Sequence, residues 1–574
     1  MNFKKEARDV TSEIKRLLVS ELNAPSRLIE QLHVINDHFG CLPKPHMAAL
    51  SQITARAEVE VIEVASFYHH FHIVDEAPKE TQVTIRICNS TSCCMAGADE
   101  LLTAVHELKM DHPNFVIETA PCVGRCEQAP VAVVQQFPIV AATAQKVWEA
   151  MVTKEYKHPS SSRTRESFSP AEVVERCAGL VPINPVINPS WVGLANYRLN
   201  GGYRLLASVR GGQITVDALI AELESSALRG LGGAGFPAGR KWGVVKSFGG
   251  PRFIAVNLDE GEPGTFKDRT FLERDPHRFL EGLLIASEAI EAEHCYIYIR
   301  DEYHGCRQIL IDAISELADE GTVAQGFLEI RRGAGAYICG EESAMLESIE
   351  GKRGEPRHRP PYVAEVGLFG HPTLVHNFET LYWVRDIIER GAEWFGTYGR
   401  NGRKGLRSFS VSGRVKLPGV KVAPAGISIS ELIDEYCGGM ADEHIFYGYM
   451  PGGASGGILP ANLNAIPLDF DTLQPYGCFI GSAAVVILSQ ADRARDAALN
   501  VMNFFEHESC GQCTPCRLGT QASVRLMQEP SWNNDALGDL KQVMTDASIC
   551  GLGQAAPNVI SCVQKYFPAE VVDG

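Results

Sequence analysis

No stretch of this 574-residue sequence is long and apolar enough to cross a bilayer. The longest apolar run, around Ile480 to Leu488, falls far short of a span and reads as a buried strand. Positive charge is scarce as well: 53 Lys+Arg stand against 70 Asp+Glu, a formal charge of −17. A dedicated nucleic-acid binder needs a basic surface to displace counterions, so that class is excluded. There is no P-loop, no internal repeat, no long low-complexity tract and no clear nucleophile–base pair, which argues against solenoid architectures and hydrolase chemistry. The first residues, MNFKKEARDVTSE, are basic but carry no apolar core. The expectation is therefore no secretory signal, no membrane contact and a cytoplasmic location with reduced thiols. What is present is a globular composition, 45% hydrophobic and 21% charged, at a length that calls for three to five domains.

Seventeen cysteines in a reducing compartment need an explanation other than disulfides. Eight fall into two tight groups. Cys88 and Cys93 form C-x4-C, followed by Cys122 and Cys126 as C-x3-C. Four thiolates suit tetrahedral zinc or an iron–sulfur cluster; neither pair has the C-x2-C knuckle usual for zinc, which favours [2Fe–2S]. Cys94 offers a competing register, and Cys93 is preferred for its spacing. The second group is C-x2-C-x2-C, Cys510, Cys513 and Cys516, with Cys550 remote from it. Three close thiolates and one distant one commonly hold [4Fe–4S], with zinc as the alternative. Gly511, Gly551 and Gly553 let the backbone turn there. The other nine cysteines read as small buried apolar residues. His69, His70 and His72 read as surface or packing histidines rather than metal ligands.

The chain divides by pattern. Residues 1–78 read as short helices; Ser26 is placed to cap one whose apolar face is Leu28, Leu32 and Ile35 and which ends at Gly40. Over 79–156, Val83, Ile85 and Ile87 alternate with polar residues, and a β-α-β-β-α order follows, a thioredoxin-like layer. Residues 157–198 contain KHPSSSRTRESFSP, a linker composition. From 199 to 405 buried strands PRFIAVN, HCYIYIR and GFLEIRR alternate with amphipathic helices, a Rossmann-like α/β domain. Residues 406–490 read as a small β-rich, ubiquitin-like (β-grasp) domain, and 491–574 as helical. The fold class is thus multidomain α/β.

LRGLGGAGFPAGRKW (228–242) exposes backbone amides at Gly230, Gly232 and Gly233, with Lys241 adding a cation. That is a phosphate cradle, with loop packing as the alternative. The strand IAVN runs into LDEGEPGTFKD, setting Asn257, Asp259, Glu260 and Glu262 at a strand's C-terminal end, where open α/β sheets bind ligands. RRGAGAYICGEES carries Glu341 and Glu342 at another. Carboxylates beside a phosphate cradle suit hydrogen bonds from ribose hydroxyls or flavin N–H groups; Mg²⁺ is the alternative.

Together, GLGGAGFPAGRKW, NLDEGEPGTFKD, GAGAYICGEES, ESCGQCTPCR and ICGLGQ resemble the flavin-containing NADH-oxidising subunit of respiratory complex I. ASFYHHF with the first cysteine group resembles complex I's small [2Fe–2S] subunit. The two are fused here. The runs RRGAGAYICGEESAMLESIEGKRGEPRHRPPY, SVSGRVKLPGVKVAPAG and MPGGASGGILP most resemble the beta (diaphorase) subunit of cytoplasmic NAD-dependent molybdenum or tungsten formate dehydrogenases. The flavin subunit of the soluble NAD-reducing hydrogenase and a complex I-like module are the alternatives; in the hydrogenase subunits a degraded first cysteine group is expected, whereas all four are present here.

The resemblance implies FMN, NAD(H), one [2Fe–2S] cluster on Cys88, Cys93, Cys122 and Cys126, and one [4Fe–4S] cluster on Cys510, Cys513, Cys516 and Cys550. It implies that Gly230, Gly232, Gly233 and Lys241 cradle phosphates. Asn257, Asp259, Glu260, Gly340, Glu341, Glu342, Val375, Asn377, Thr380 and Leu552 form the flavin pocket. Phe236 stacks on adenine, Tyr337 and Glu262 line the nicotinamide side, and Glu342 contacts the adenosine ribose. Leu231, His376 and Tyr362 depart from the complex I pattern, and His376 is placed to tune flavin hydrogen bonding. No molybdopterin-binding segment is recognisable, so a larger partner with the metal and further clusters is implied, with room for a small [2Fe–2S] subunit. A scaffold that has lost its flavin and a zinc-bearing structural protein are the competing classes.

Overall fold

The structure, a computed structural model, describes residues 2–18, 24–78, 81–108, 115–154 and 192–572. The expected linker lies outside the described residues as far as residue 191, as does Cys177.

The N-terminal segment is helical where the apolar spacing requires it: Asn2–Leu17, Leu28–Phe39, Lys44–Thr54 and Glu58–Phe67. Leu28, Leu32 and Ile35 are fully buried along one face. Ser26 does not cap that helix. Pro25 pre-sets a 3-10 turn, Pro25–Arg27, so the turn has begun before Ser26, and Arg27 holds the cap position without a side-chain bond. Leu42–Pro43 (β1) pairs in parallel with Ile73–Val74 (β2). This segment shares one continuous core with the middle of the chain. The Tyr68 hydroxyl donates to Lys352 O at 2.7 Å, and His33 Nε2 to Gly333 O at 2.8 Å.

Val83–Cys88 (β3), Phe115–Ala120 (β4), Ala132–Val134 (β5) and Phe137–Ile139 (β6) form a sheet of order β4-β3-β5-β6, parallel only between β3 and β4. Helices Ala98–Leu108 and Ala144–Thr153 complete the thioredoxin-like layer, which has its own core. The β5–β6 hairpin adds one strand to the expected order.

The middle sheet is Arg252–Leu258 (β7), Ala292–Ile299 (β8), Leu328–Arg332 (β9) and Thr373–Asn377 (β10), ordered β10-β7-β8-β9 and wholly parallel. Ile254, Ala255, Val256, Ile297 and Ile299 are completely buried, as a sheet covered on both faces demands. From β7 the chain builds outward through β8 and β9 on one side and returns as β10 on the other. The boundary between β7 and β10 is therefore the topological switch point, where a ligand crevice opens.

Leu406–Gly413 (β11), Gly419–Pro424 (β12), Phe446–Met450 (β13), Leu459–Pro460 (β14) and Ala484–Ser489 (β15) form a mixed sheet of order β12-β11-β15-β13-β14. Helices Ala494–Glu508, Thr514–Gln528, Asn534–Ala547, Gly551–Ala555 and Asn558–Tyr566 end the chain. Among the described residues no helix is long and apolar enough to cross a membrane.

Candidate functional site

Asn257 lies next to the end of β7 and Asn377 ends β10, directly paired in register. Each is fastened locally. Asn257 Nδ2 donates to Gly340 O at 2.8 Å and its Oδ1 accepts from Asp259 N at 3.0 Å. Asn377 Nδ2 donates to Asp268 Oδ2 at 2.7 Å, and its Oδ1 caps the helix Phe378–Arg390 through Glu379 N. A cavity of about 280 Å³ opens beside them. Of the expected residues it brings together Gly232, Gly233, Asn257, Asp259, Glu260, Glu262, Tyr337, Gly340, Glu341, Asn377 and Leu552.

The glycine loop leans on β10 and the helix after it. Leu231 N donates to Thr380 Oγ1 at 2.9 Å, and a Cβ on Gly232 would stand 3.0 Å from Asn377 Cβ. Thr380 and Val375 are thus buried behind the loop and do not line the cavity. Gly230 N donates to Phe236 O at 2.8 Å, and Phe236 is exposed at the loop's tip with the Arg240 guanidinium 5.7 Å from its ring centre. Lys241 Nζ sits 3.4 Å from Glu342 Oε2, while Arg359 approaches the other Glu342 oxygen at 3.3 Å. Glu342 also lies outside the cavity lining. His376 does not reach the crevice. Side chains alternate along a strand, so its ring faces away from Asn377 and accepts from Trp242 Nε1 at 2.7 Å. Burial holds its pKa well below the ordinary histidine value.

The crevice floor carries an unmatched acceptor. Asp259 Oδ2 is buried with no hydrogen-bond partner among the described residues, and burial raises this carboxyl's pKa well above the usual range. Such an atom fits a ligand presenting N–H or O–H, as a flavin does. Opposite it, Glu262 Oε1 accepts from Ser455 N at 2.8 Å and Ser455 Oγ at 2.7 Å, while its second oxygen accepts from the Tyr337 hydroxyl. Burial raises the pKa of Glu262 and, strongly, of Tyr337. The Glu260 carboxylate turns inward to Asp268 N, Arg269 N and the Tyr303 hydroxyl at 2.8, 3.1 and 2.8 Å, and burial lifts it to about 7. Sequence reasoning missed Lys267, Asp268, Ser455, Phe479, Gly481 and Ser482 in this lining. Lys267 is completely enclosed, paired with Asp268 at 2.7 Å and Glu379 at 3.1 Å.

The first cysteine group converges. Cys88 ends β3, Cys93 sits in the short helix Thr91–Met95, and Cys122 and Cys126 follow β4, their sulfurs 3.2 Å apart. All four are buried. A hydrogen bond from Cys126 pulls the Cys122 thiol down to about 6, helped by the Arg300 charge against the cost of burial. Cys94 instead donates to Asn89 O at 3.1 Å.

The second group lies between helices. Cys513 occupies the N-cap position of Thr514–Gln528 and Cys550 that of Gly551–Ala555, each without a side-chain cap bond. Cys516 is buried, but Cys510, Cys513 and Cys550 are partly exposed. Gly551, Leu552 and Ala555, on the short helix that follows the fourth thiol, form one wall of the crevice. Soft thiols grouped in fours suit iron–sulfur clusters at both places.

A buried polar seam joins the first group to the crevice. Arg300 donates to Cys122 O at 2.7 Å and to Glu260 O at 2.5 Å, and pairs with Glu302 at 2.9 Å. Arg269 donates to Gly124 O at 2.8 Å and to Glu273 at 2.8 Å, and also binds Glu127. Gly124 has φ +70°, and a Cβ there would fall 2.2 Å from the Tyr303 hydroxyl.

Comparison with known proteins follows the same division. Residues 14–155 match the thioredoxin-like [2Fe–2S] ferredoxin family, 223–386 the Nuo51 FMN-binding domain, and 496–574 the NADH-ubiquinone oxidoreductase-F iron–sulfur binding region. The chain is 41% identical over 394 residues to the second F-type subunit of NADH-quinone oxidoreductase from Rhizobium meliloti, covering 66% of this chain and 93% of the relative. It is 40% identical over 390 residues to the F-type subunit of the same enzyme from Aquifex aeolicus, covering 65% and 89%. Among solved structures, an NAD⁺-reducing [NiFe]-hydrogenase in the air-oxidized state superposes with a TM-score of 0.79 at 28% identity, covering 96% of this chain and 94% of the other.

Proposed function

The chain belongs to the family of F-type subunits of NADH-quinone oxidoreductase, and from that premise we propose that it is the NAD(H)-linked flavin subunit of a larger cytoplasmic redox complex, a molybdenum- or tungsten-containing NAD-dependent formate dehydrogenase. The runs around 331–362, 410–426 and 450–460 and the complete first cysteine group support the formate assignment over a hydrogenase. Bound FMN supplies the exchange between a hydride from or to nicotinamide and single electrons at the clusters. In this reading the chain's own residues position and seal the exchange. Gly230, Gly232, Gly233 and Lys241 take phosphates, and the free Asp259 oxygen accepts from the isoalloxazine edge. Glu262, held by Ser455 and Tyr337, fixes the nicotinamide side, with Phe236 at the adenine and Glu342 at its ribose. Thr380 and Val375 act from behind, by holding the glycine loop.

The observation that carries the proposal is the shared wall: the helix Gly551–Ala555, which begins at Cys550 of the [4Fe–4S] group, forms a side of the crevice. That shared wall would set the residues that hold the flavin beside those that hold its first one-electron partner. The division at residues 78, 156, 198, 405 and 490 belongs to the same proposal.

Two measurements test it. Purified chain should carry flavin, iron and labile sulfide and oxidise NADH with an artificial acceptor; material lacking flavin would leave a scaffold, and zinc in place of iron a structural protein. The intact complex should reduce NAD⁺ with formate and not with H₂. The likeness to the [NiFe]-hydrogenase structures along almost the whole chain favours a second reading, and H₂-driven NAD⁺ reduction would select it.

A further inference from the structure

The Glu262 carboxylate is held from two sides, and each holder is tied in turn to the helices that carry the second cysteine group. On one side stands Ser455, in the short turn Ala454–Gly456 between β13 and β14, whose N–H and hydroxyl both donate to Glu262 Oε1. The Ser455 carbonyl accepts from Asn558 Nδ2 at 3.0 Å, and Asn558 opens the helix Asn558–Tyr566. On the other side stands Tyr337, whose hydroxyl donates to Glu262 Oε2. The Tyr337 N–H donates to Glu508 Oε2 at 2.8 Å, and its ring lies 4.9 Å from that of Phe504. Phe504 and Glu508 both belong to the helix Ala494–Glu508.

The Ser455 turn has no slack with which to absorb a shift. Gly453 has φ +74°, and a Cβ there would fall 2.7 Å from Glu262 Cγ. Gly457 has φ +81°, and a Cβ there would fall 2.9 Å from Cys562 Sγ. Cys562 lies one helical turn after Asn558, on the same face. The turn is therefore a spacer wedged between the carboxylate and the helix, and in a close-packed interior a displacement at one end is felt at the other. An ionised carboxylate offers about four lone-pair sites. The two Ser455 bonds and the Tyr337 bond fill three of them. What remains is a fixed acceptor on Oε2 for one ligand N–H, such as the carboxamide of nicotinamide. We propose that Asn558, acting through Ser455, and Glu508, acting through Tyr337, are positioning residues that aim Glu262 at the nicotinamide end of the dinucleotide. The helices of the second cysteine group thereby set substrate geometry. The proposal rests on the assignment of Glu262 to the nicotinamide side.

The test compares NAD⁺ with ADP-ribose, which keeps the adenine, both riboses and both phosphates but lacks nicotinamide. Equilibrium dialysis uses oxidised holoprotein with flavin and clusters loaded, so that no turnover occurs. Asn558→Ala should weaken NAD⁺ by roughly three- to tenfold, the worth of one hydrogen bond, and leave ADP-ribose unchanged. Glu508→Ala should do the same, and Glu508→Gln, which keeps an acceptor for the Tyr337 N–H, should bind NAD⁺ like wild type. Gln564→Ala, on the Asn558 helix but bonded to Asn534, should change neither ligand. Flavin and iron contents should equal wild type throughout. Glu262→Ala anchors the comparison: it should weaken NAD⁺ and spare ADP-ribose. If it does so while Asn558→Ala or Glu508→Ala does not, that arm is overturned and Glu262 keeps its assignment. If Glu262→Ala spares both ligands or weakens both equally, the assignment falls and the positioning role with it. Equal loss of both ligands in Asn558→Ala, or iron loss in Glu508→Ala, would mark a merely structural residue and overturn its arm.

Discussion

The two cysteine groups share chemistry but not setting. Cys88, Cys93, Cys122 and Cys126 are each at most 4% exposed, and the last two pack against fully buried Phe266 of the middle domain. Their loop is held by buried guanidiniums, Arg300 on Cys122 O and Arg269 on Gly124 O. In the second group three of four thiols remain partly exposed, and the arginine nearest the loop, Arg517, is itself exposed while donating to Gly511 O. One group is a joint between domains; the other is a terminal facing outward from the crevice wall. Burial lowers the dielectric and makes each fixed charge count, whereas exposure leaves a face for a partner to dock.

The sharpest way to break this contrast is to remove one ligand from each group. Cys122→Ser should lose the [2Fe–2S] electron-paramagnetic signal and loosen the interdomain joint, seen as a lower thermal midpoint. Cys513→Ser should retain flavin and fold while electron transfer to partner clusters falls to background. Coupled turnover surviving in Cys513→Ser would remove the outward terminal.

Next in size are the arginines. Arg300→Met leaves Glu302 without its partner and two carbonyls without donors, a loss of about 3 kcal/mol or more in denaturant titrations. Arg517→Met should cost under about 1 kcal/mol, because an exposed contact is screened. Equal costs would erase the distinction between joint and terminal.

Acid should also find the joint. His304 follows Tyr303 on the seam, and burial, then Arg307 and Arg332, push its pKa down to about 4. Its folded pKa is below the ordinary value of 6.5, so the neutral form's contribution is complete above pH 6.5 and is lost as pH falls from there toward 4. The thermal midpoint should drop across that window, and His304→Gln should flatten the drop. The smallest effect is expected at Glu342→Gln, which should narrow the NADH-over-NADPH preference in kcat/KM by roughly three- to tenfold, since Lys241 and Arg359 already offset part of its charge. Both cluster signals should stay unchanged, which makes it the control for the other variants.

Much of this site is legible in the sequence because spacing and chemistry coincide. C-x4-C, C-x3-C and C-x2-C-x2-C announce thiolate groups, and glycines or acids after an apolar strand announce a crevice. What is not legible depends on tertiary approach. Ser455, Phe479, Gly481 and Ser482 enter the lining from the β-rich domain, and nothing local to them signals that crossing. Lys267 falls in the run assigned to the crevice but carries no role there by pattern; its enclosure by Asp268 and Glu379 comes from tertiary approach. TLVHN is a five-residue strand too short to stand out, so β10 escapes a reading by pattern and His376 is expected on the wrong face. Arg269 and Arg300 look like ordinary surface charges until the thioredoxin-like layer covers them.

Gly124 shows how little material separates a joined enzyme from two parts that merely share a chain. Replacing its hydrogen by a methyl would set carbon against the Tyr303 oxygen far inside van der Waals contact. An alanine there would act as a wedge within the Cys122–Cys126 loop, prying one redox module from the other.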